Sequence, residues 1–510
     1  LSTRISQRQF DSTAKAFGGG MTGTAGSLGE GRDRQQGAIA IMFGLMLVVL
    51  VGFVGMSLDL GRVYNRKLDL QALANATALA AARQLNGTSA GVTNALAQAA
   101  SAANALKYQY NQQSISWNSA ALSFSSSATG AWVDAGSAQA APSGLLFVKA
   151  DTSMLDASLA TISLVFMRAL SDALASASVG VTAVAGRSTI DVAPIAVCAL
   201  SNTAAAARVN PGPPAYSELT EYGFRRGVAY DLMQLNPNGT APENFVVDPF
   251  DPPGVYGTAS NTAAGVVGPY ACTGKLAIPR VTGAPITVGR PFPLASLVNQ
   301  LNSRFDQFSG SLCSFATAPP DTNIKSYVYN TAISWMSTAP GAQGAASTTS
   351  AGKLWTVADP LPALAGTTAA MYGPLWAYAR AVPYSSYVPG AAEPANGYTP
   401  FNTSVWSSLY KPGVPVATGS YPSGVSTPYT TLNVSYFQAP SAAHKGIANR
   451  RVLNVALLSC PVGAGTTTTA TVLGIGKFLM TVPATATALF AEFGGLATEQ
   501  SLGGAVELYQ

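Results

Sequence analysis

The sequence predicts an α+β protein: a single N-terminal transmembrane helix continuing into Ala-rich helices, then a small sheet, then a large mainly-β domain. Three observations lead there. Gly37 to Leu58 carries no charged side chain, the stretch behind it is Ala-rich and free of Pro, and the long remainder is rich in Pro, Gly, Thr and aromatics with short β-forming runs.

Only 10% of the 510 residues are charged and 48% are apolar, against a usual charged share of about 25%. Most of the apolar residues are Ala and Val dispersed among Gly, Ser, Thr and Pro, a β-rich extracytoplasmic composition rather than a bundle of spans. The net charge of +5 is not gathered into a stripe, so nucleic acid is excluded as a partner. The basic pairs Arg225-Arg226 and Arg450-Arg451 are read as solvated faces or strand ends.

Residues 1–36 mix Gly, Ser, Thr and Arg without periodicity, as expected of a flexible cytoplasmic tail. The run 37–58 rises about 33 Å as a helix, enough for a hydrocarbon core of about 30 Å. It is longer than the apolar core of a cleaved signal peptide and lies far from the start of the chain, which favours an uncleaved anchor in the lipid bilayer. Basic residues flank both ends (Arg32 and Arg34; Arg62, Arg66 and Lys67), so charge alone does not orient it. The charge-poor bulk and its cysteines place the N-terminus in the cytoplasm and the C-terminal bulk in the periplasm or outside, with the bacterial inner membrane as the location. Thr471–Phe490 is interrupted by Lys477 and Pro483 and suits strands better than a second span.

Residues 59–190 form the next unit. Asp59–Leu85 continues the helix with good helix formers, Arg62, Arg66 and Asp69 sharing a face. Its alanines leave a smooth surface for close approach of another helix or sheet, and Asp59, Arg62, Ala72, Ala76 and Ala80 are the expected helix-packing interface. Asn86-Gly87 stops it, and a second Ala-rich helix follows over 92–108. Short β-forming runs then appear at 115–117, 121–124, 145–148, 162–166, 179–184 and 190–197. A long N-terminal helix feeding a small sheet is a pilin-like unit. Residues 191–510 are expected to be a large mainly-β extracytoplasmic domain, with 339–352 an exposed loop.

Four widely spaced cysteines make no CxxC motif, so metal or redox roles are not indicated. They fit two disulfides, or four buried thiols. Cys198 and Cys460 each end an apolar run, which favours Cys198 with Cys460 and Cys272 with Cys313 among three possible pairings. The sole histidine, His444, lies in a polar connecting segment without a nucleophile motif. Asp248 and Asp251 in VVDPFDPPG read as turn formers rather than a paired-carboxylate or calcium site. No catalytic, cofactor-binding or metal-ligating set is assigned, and the chain is read as no enzyme. The aromatic stretch 372–436 has two readings: packing of a β-domain poor in aliphatics, or an exposed surface for a glycan or another subunit, with Trp376, Tyr378, Tyr387, Trp406 and Tyr410 as its candidates.

The segment QGAIAIMFGLMLVVLVGFVGMSLDLGRVYNRKLDLQALANATALAAARQL (36–85) resembles the N-terminal region of the Tad (tight adherence, Flp) pilus-assembly family, particularly its TadG-like members. The resemblance rests on small apolar residues opening the span at Gly37-Ala38, the junction Asp59-Leu60-Gly61-Arg62, and the Ala-rich helix from Leu70-Gln71 onward. Segments at 224–250, 301–308, 450–460 and 472–480 also look like TadG-like pieces. The resemblance implies a minor membrane-inserted component of a Tad pilus or its machinery, with other membrane or pilus-assembly proteins as partners through the helices. Two departures matter. Met42 stands where a processed pilin would have Glu, which implies an unprocessed anchor. Asp151-Thr152-Ser153-Met154-Leu155 lacks the second Ser of a von Willebrand A metal site, so no such site is assigned.

Overall fold

Helix α1 runs from Asp33 to Ala82 without a break. This computed structural model describes residues 33–509 except 109–112, 143, 188, 211, 251–259, 280–284, 331–332, 334, 337–340, 360–365, 390, 392, 395 and 411–419. Most of the expected tail 1–36, and Asp251, therefore lie outside the described residues. Two compact units emerge, one of residues 1–63 with 163–177, the other of 64–162 with 178–510.

In the first unit every residue from Ile39 to Val54 is exposed. Among the described residues, α1 is the one helix long and apolar enough to cross a membrane. A stripe facing a protein core would leave an apolar side and a polar side; here large side chains such as Met42, Phe43 and Val48 face outward all round. Residues 163–177 complete this unit with two single-turn 3-10 segments, Met167–Ala169 and Asp172–Leu174.

In the second unit the rest of α1 buries Leu70, Leu73, Ala74, Thr77, Ala78, Ala81 and Ala82, a stripe at the three- and four-residue spacing of one helix face. Helix α2 (Ser89–Ala105) answers with Gly91, Val92, Ala95, Ala99 and Ala103. Gly87, at φ 79°, reverses the chain between them, and the Thr88 hydroxyl accepts the Gly91 N–H at 3.0 Å to cap α2. The same core is closed by strands β1 (Leu122–Ser125), β2 (Phe147–Asp151) and β3 (Thr182–Arg187), antiparallel in that order.

The larger sheet holds β4 (Ile195–Cys198), β5 (Asn244–Val247), β6 (Pro285–Gly289), β7 (Val452–Leu458) and β8 (Thr467–Met480). Successive pairings run β8–β6–β5–β4–β7 and return from β7 to β8, closing a ring; only β4 with β7 is parallel. Strand β9 (Phe490–Ala497) extends β8, and Ala229–Asp231 extends β9. Both faces of the ring strands are covered. Ile195, Val197, Val455 and Leu457 enter one core, while Ala196, Cys198, Ala456 and Leu458 enter another. Double-sided burial is why these strands read as unbroken apolar runs rather than alternating ones.

The architecture is thus α+β with a large mainly-β region, and the local differences from expectation have physical reasons. Strand β10 (Val506–Tyr509) pairs antiparallel with β3, Val506 opposite Arg187, so the last residues of the chain complete the small sheet across the boundary drawn at residue 190. The second helix starts at Ser89 and ends at Ala105, before Lys107-Tyr108 enter a short strand. Residues 115–117 are not a strand. Of 162–166 only Ile162 and Ser163 are in a strand, Thr161–Ser163, and the N–H groups of Val165 and Phe166 turn instead to a carboxylate. Within 339–352, Ser347–Ser350 forms a hairpin with Lys353–Thr356 rather than open loop.

Candidate functional site at the helix junction

Asp59 ends the apolar run of α1 and is fully buried. Its Oδ1 accepts the Val165 N–H at 3.2 Å, and its Oδ2 accepts those of Phe166 and Met167, each at 2.8 Å. Three converging N–H groups make a charge-assisted clasp, and they are the otherwise orphaned donors opening the turn Met167–Ala169. One helical turn earlier, on the same face, stands Gly55. A Cβ there would lie 2.5 Å from Cγ and Cδ1 of Phe166, so glycine is what lets the Phe166 ring rest on the helix backbone. Gly55 and Asp59, four residues apart, form a seat for residues 163–177.

Asp59, expected in a helix-packing interface, accepts backbone N–H groups more than a hundred residues away. Arg62 is exposed. In the second unit Arg66 is buried, donating to the Leu159 carbonyl at 2.7 Å with its guanidinium 4.6 Å from the Tyr108 ring centroid. The alanines of the expected interface are not those the fold buries: Ala72 is exposed, and Ala76 and Ala80 are half-buried. They flank the stripe from Leu70 to Ala82 that packs within the chain.

The aromatic candidates do not form a surface. Trp376, Trp406 and Tyr410 are fully buried; Trp376 and Trp406 meet edge-on at 4.7 Å, and the Trp376 indole N–H donates to the Tyr410 hydroxyl at 2.8 Å. Tyr378 is half-buried against Tyr429, and Tyr387 against Tyr384. The physical reason is volume: with little Leu and Ile in this region, indoles and phenols fill the core. The Tyr421 hydroxyl donates to the Trp376 carbonyl, while the Trp406 indole N–H is buried without a partner among the described residues. A glycan-stacking platform built on Trp376 and Trp406 is thereby lost.

The basic pairs are also corrected. Arg225 is wholly buried, 2.7 Å from the Glu218 carboxylate and 4.6 Å from the Tyr410 ring centroid. Arg226 is clamped by Glu221 and Glu393, each at 2.7 Å. Burial alone would raise the Glu393 carboxyl, but Arg226 holds it below its ordinary value. Arg451 donates to the carbonyls of Asn323, Lys325, Met480 and Thr481. Arg450 and Arg304 donate to carbonyls at the C-terminal end of Ala264–Thr273, where a helix dipole favours cations. Burial with Arg450 alongside pushes Arg304 down to about 9. These cations are internal struts: Glu218 and Glu221 lie close in sequence, but Leu409 and Glu393, which complete the enclosure of Arg225 and Arg226, and the carbonyls around Arg451 are remote.

The structure joins Cys198 to Cys460 and Cys272 to Cys313. Parallel pairing of β4 with β7 sets Cys198 opposite Leu458, which brings Cys460 within reach. Glu243 approaches that first pair, but both sulfurs are committed to each other and Glu243 pairs with Arg290 at 3.0 Å. His444 is not idle: its Nδ1 meets Asp306 at 2.5 Å and its ring stacks on Phe315 at 4.2 Å. Asp248 accepts the Phe250 N–H and the Asn261 amide, a turn-forming arrangement. Another buried carboxylate is Glu492, which accepts the N–H groups of Ala377, Tyr378 and Ala379 at 2.6–2.8 Å; burial raises it to about 7 against those three donors.

No curated protein and no solved structure matches the chain. Residues 37–84 match the family model for putative Flp pilus-assembly TadE/G-like proteins. The match opens at Gly37, takes in the exposed apolar run, Gly55, Asp59 and the junction, and closes just beyond the buried stripe of α1. The chain therefore carries, on its membrane-capable helix and Ala-rich extension, a TadE/G-like segment of the Tad pilus-assembly family.

Proposed function

We propose that this protein is a non-enzymatic, membrane-anchored structural component of a Tad-type pilus or its assembly machinery, acting in assembly or adhesion. The observation that carries the reading is the coincidence of the TadE/G-like match with the outward-facing apolar helix. Residues 37–58 cross the inner membrane, the N-terminus is cytoplasmic, and the disulfide-bearing bulk lies outside, where disulfides persist. Ala72, Ala76 and Ala80 offer partner helices a flank along which backbones approach closely. The extensive internal pairing of arginines suits a rigid scaffold. Protease added to spheroplasts tests the topology: the C-terminal bulk is digested while a tag at the N-terminus survives. The reverse pattern contradicts it.

A further inference from the structure

Residues 163–177 have an exterior that suits neither a water-exposed loop nor a buried one. Val165 is 57% exposed and Leu170 66%, with Phe166 and Leu174 also exposed. Such a cluster of apolar side chains within a dozen residues marks a surface that meets something other than water. Its polar members, Arg168 and Asp172, pair at 3.7 Å and stay largely exposed.

The backbone is unusually self-sufficient. Leu164 donates to Ala175; Val165, Phe166 and Met167 donate to Asp59. Ala169 donates to Phe166, Leu170 and Ser171 to Met167, Ala173 to the Ser171 hydroxyl, Leu174 to Ser171 and Ala175 to Asp172. A loop in water has no need of this, because water satisfies free N–H groups; non-helical backbone near hydrocarbon does need it. Depth completes the case. Gly55 lies about 27 Å along α1 from Gly37 at about 1.5 Å per residue, near the far edge of a hydrocarbon layer about 30 Å thick. The seat of Phe166 on Gly55 fixes this segment at that level.

We infer that residues 163–177 are an interfacial membrane foot, lodging Val165, Phe166, Leu170 and Leu174 in the headgroup–acyl boundary beside the exit of α1. The inference rests on the anchor reading above. The occupant is lipid because the seat lies on the lipid-facing helix itself, so the apolar surface of the foot is continuous with that of the span. Arg168 remains at headgroup level, where a long cationic side chain keeps its charge in water while its stem stays in the boundary.

The four native cysteines are paired, so one added cysteine can be labelled selectively with an environment-sensitive fluorophore. The full chain carrying Leu170→Cys, Leu47→Cys or Leu432→Cys is reconstituted in phosphatidylethanolamine–phosphatidylglycerol vesicles. The expected result is blue-shifted emission at 170, quenched most by a nitroxide near the lipid headgroup. The probe at 47 is quenched most by a nitroxide deep in the acyl chain, and the probe at 432 by aqueous iodide. A lipid-buried probe at 47 with an aqueous probe at 170 overturns the foot and leaves the anchor standing. Aqueous probes at both positions overturn both readings. A probe at 170 shielded from iodide yet untouched by lipid nitroxides means that a second copy covers the surface, which also overturns the inference.

Discussion

Asp59 shows how much a single residue can conceal in a sequence. Its place at the end of an apolar run and in the Asp-Leu-Gly-Arg junction is plain from the residues, but its role is not, because the three N–H groups it accepts come from 165–167. Asp59→Asn replaces one acceptor oxygen by a donor and leaves N–H groups facing N–H groups. Hydrogen exchange of residues 163–167 is expected to rise about tenfold or more, with little change in the strands of the second unit; uniform protection would count against the clasp. Glu492 permits a pH prediction. Its folded pKa of about 7 lies above the ordinary 4.5, so the folded state binds more protons and this residue's contribution falls as pH rises from about 4.5 to about 7. Glu492→Gln removes that pH dependence. Like the neutral acid, the amide offers the three backbone donors one acceptor oxygen, so near pH 4.5 the two proteins should differ by less than about 1 kcal/mol. Denaturant unfolding of both proteins at pH 4.5 and 8 measures each effect.

Among the elements, α1 was the most legible. Its uncharged run, junction and Ala-rich continuation follow from composition and helix propensity, and the chain reversal at Asn86-Gly87 from turn chemistry, although the helix itself ends earlier, at Ala82. Which alanines pack was not legible, since the Ala72–Ala76–Ala80 row and the buried row through Ala74, Ala78 and Ala81 are alike in composition. Only the positions of Leu70 and Leu73 on the second row hint at the answer. Ala78→Leu overpacks that core and is expected to cost about 1–3 kcal/mol. Ala72→Leu should leave thermal unfolding nearly unchanged, and it weakens partner association if that flank is used as proposed. Equal destabilisation by both, read in the same melt, would contradict this assignment of faces. The ring strands were recognisable as apolar runs, but the ring itself and the return of β10 to β3 were not, because both depend on pairings between distant parts of the chain.

At the scale of the whole molecule, long-range ties dominate the second unit. Cys198 and Cys460 are 262 residues apart, and Arg226 reaches Glu393 across 167. Replacing Cys198 and Cys460 together by Ala is expected to lower stability by about 2–5 kcal/mol, measured as a drop in the unfolding midpoint under non-reducing conditions. The same long-range character explains the misread aromatics and arginines, whose polarity and context look solvated until remote partners enclose them. The central claim concerns what the anchored chain joins. Its most direct test is affinity purification of the full chain from detergent-solubilised membranes of cells assembling Tad pili, with the bound proteins identified by mass spectrometry. The account predicts recovery with pilus or pilus-assembly proteins, lost when residues 37–84 are replaced by an unrelated single-pass helix. Recovery of the native chain solely as a free monomer in cells making pili would contradict it.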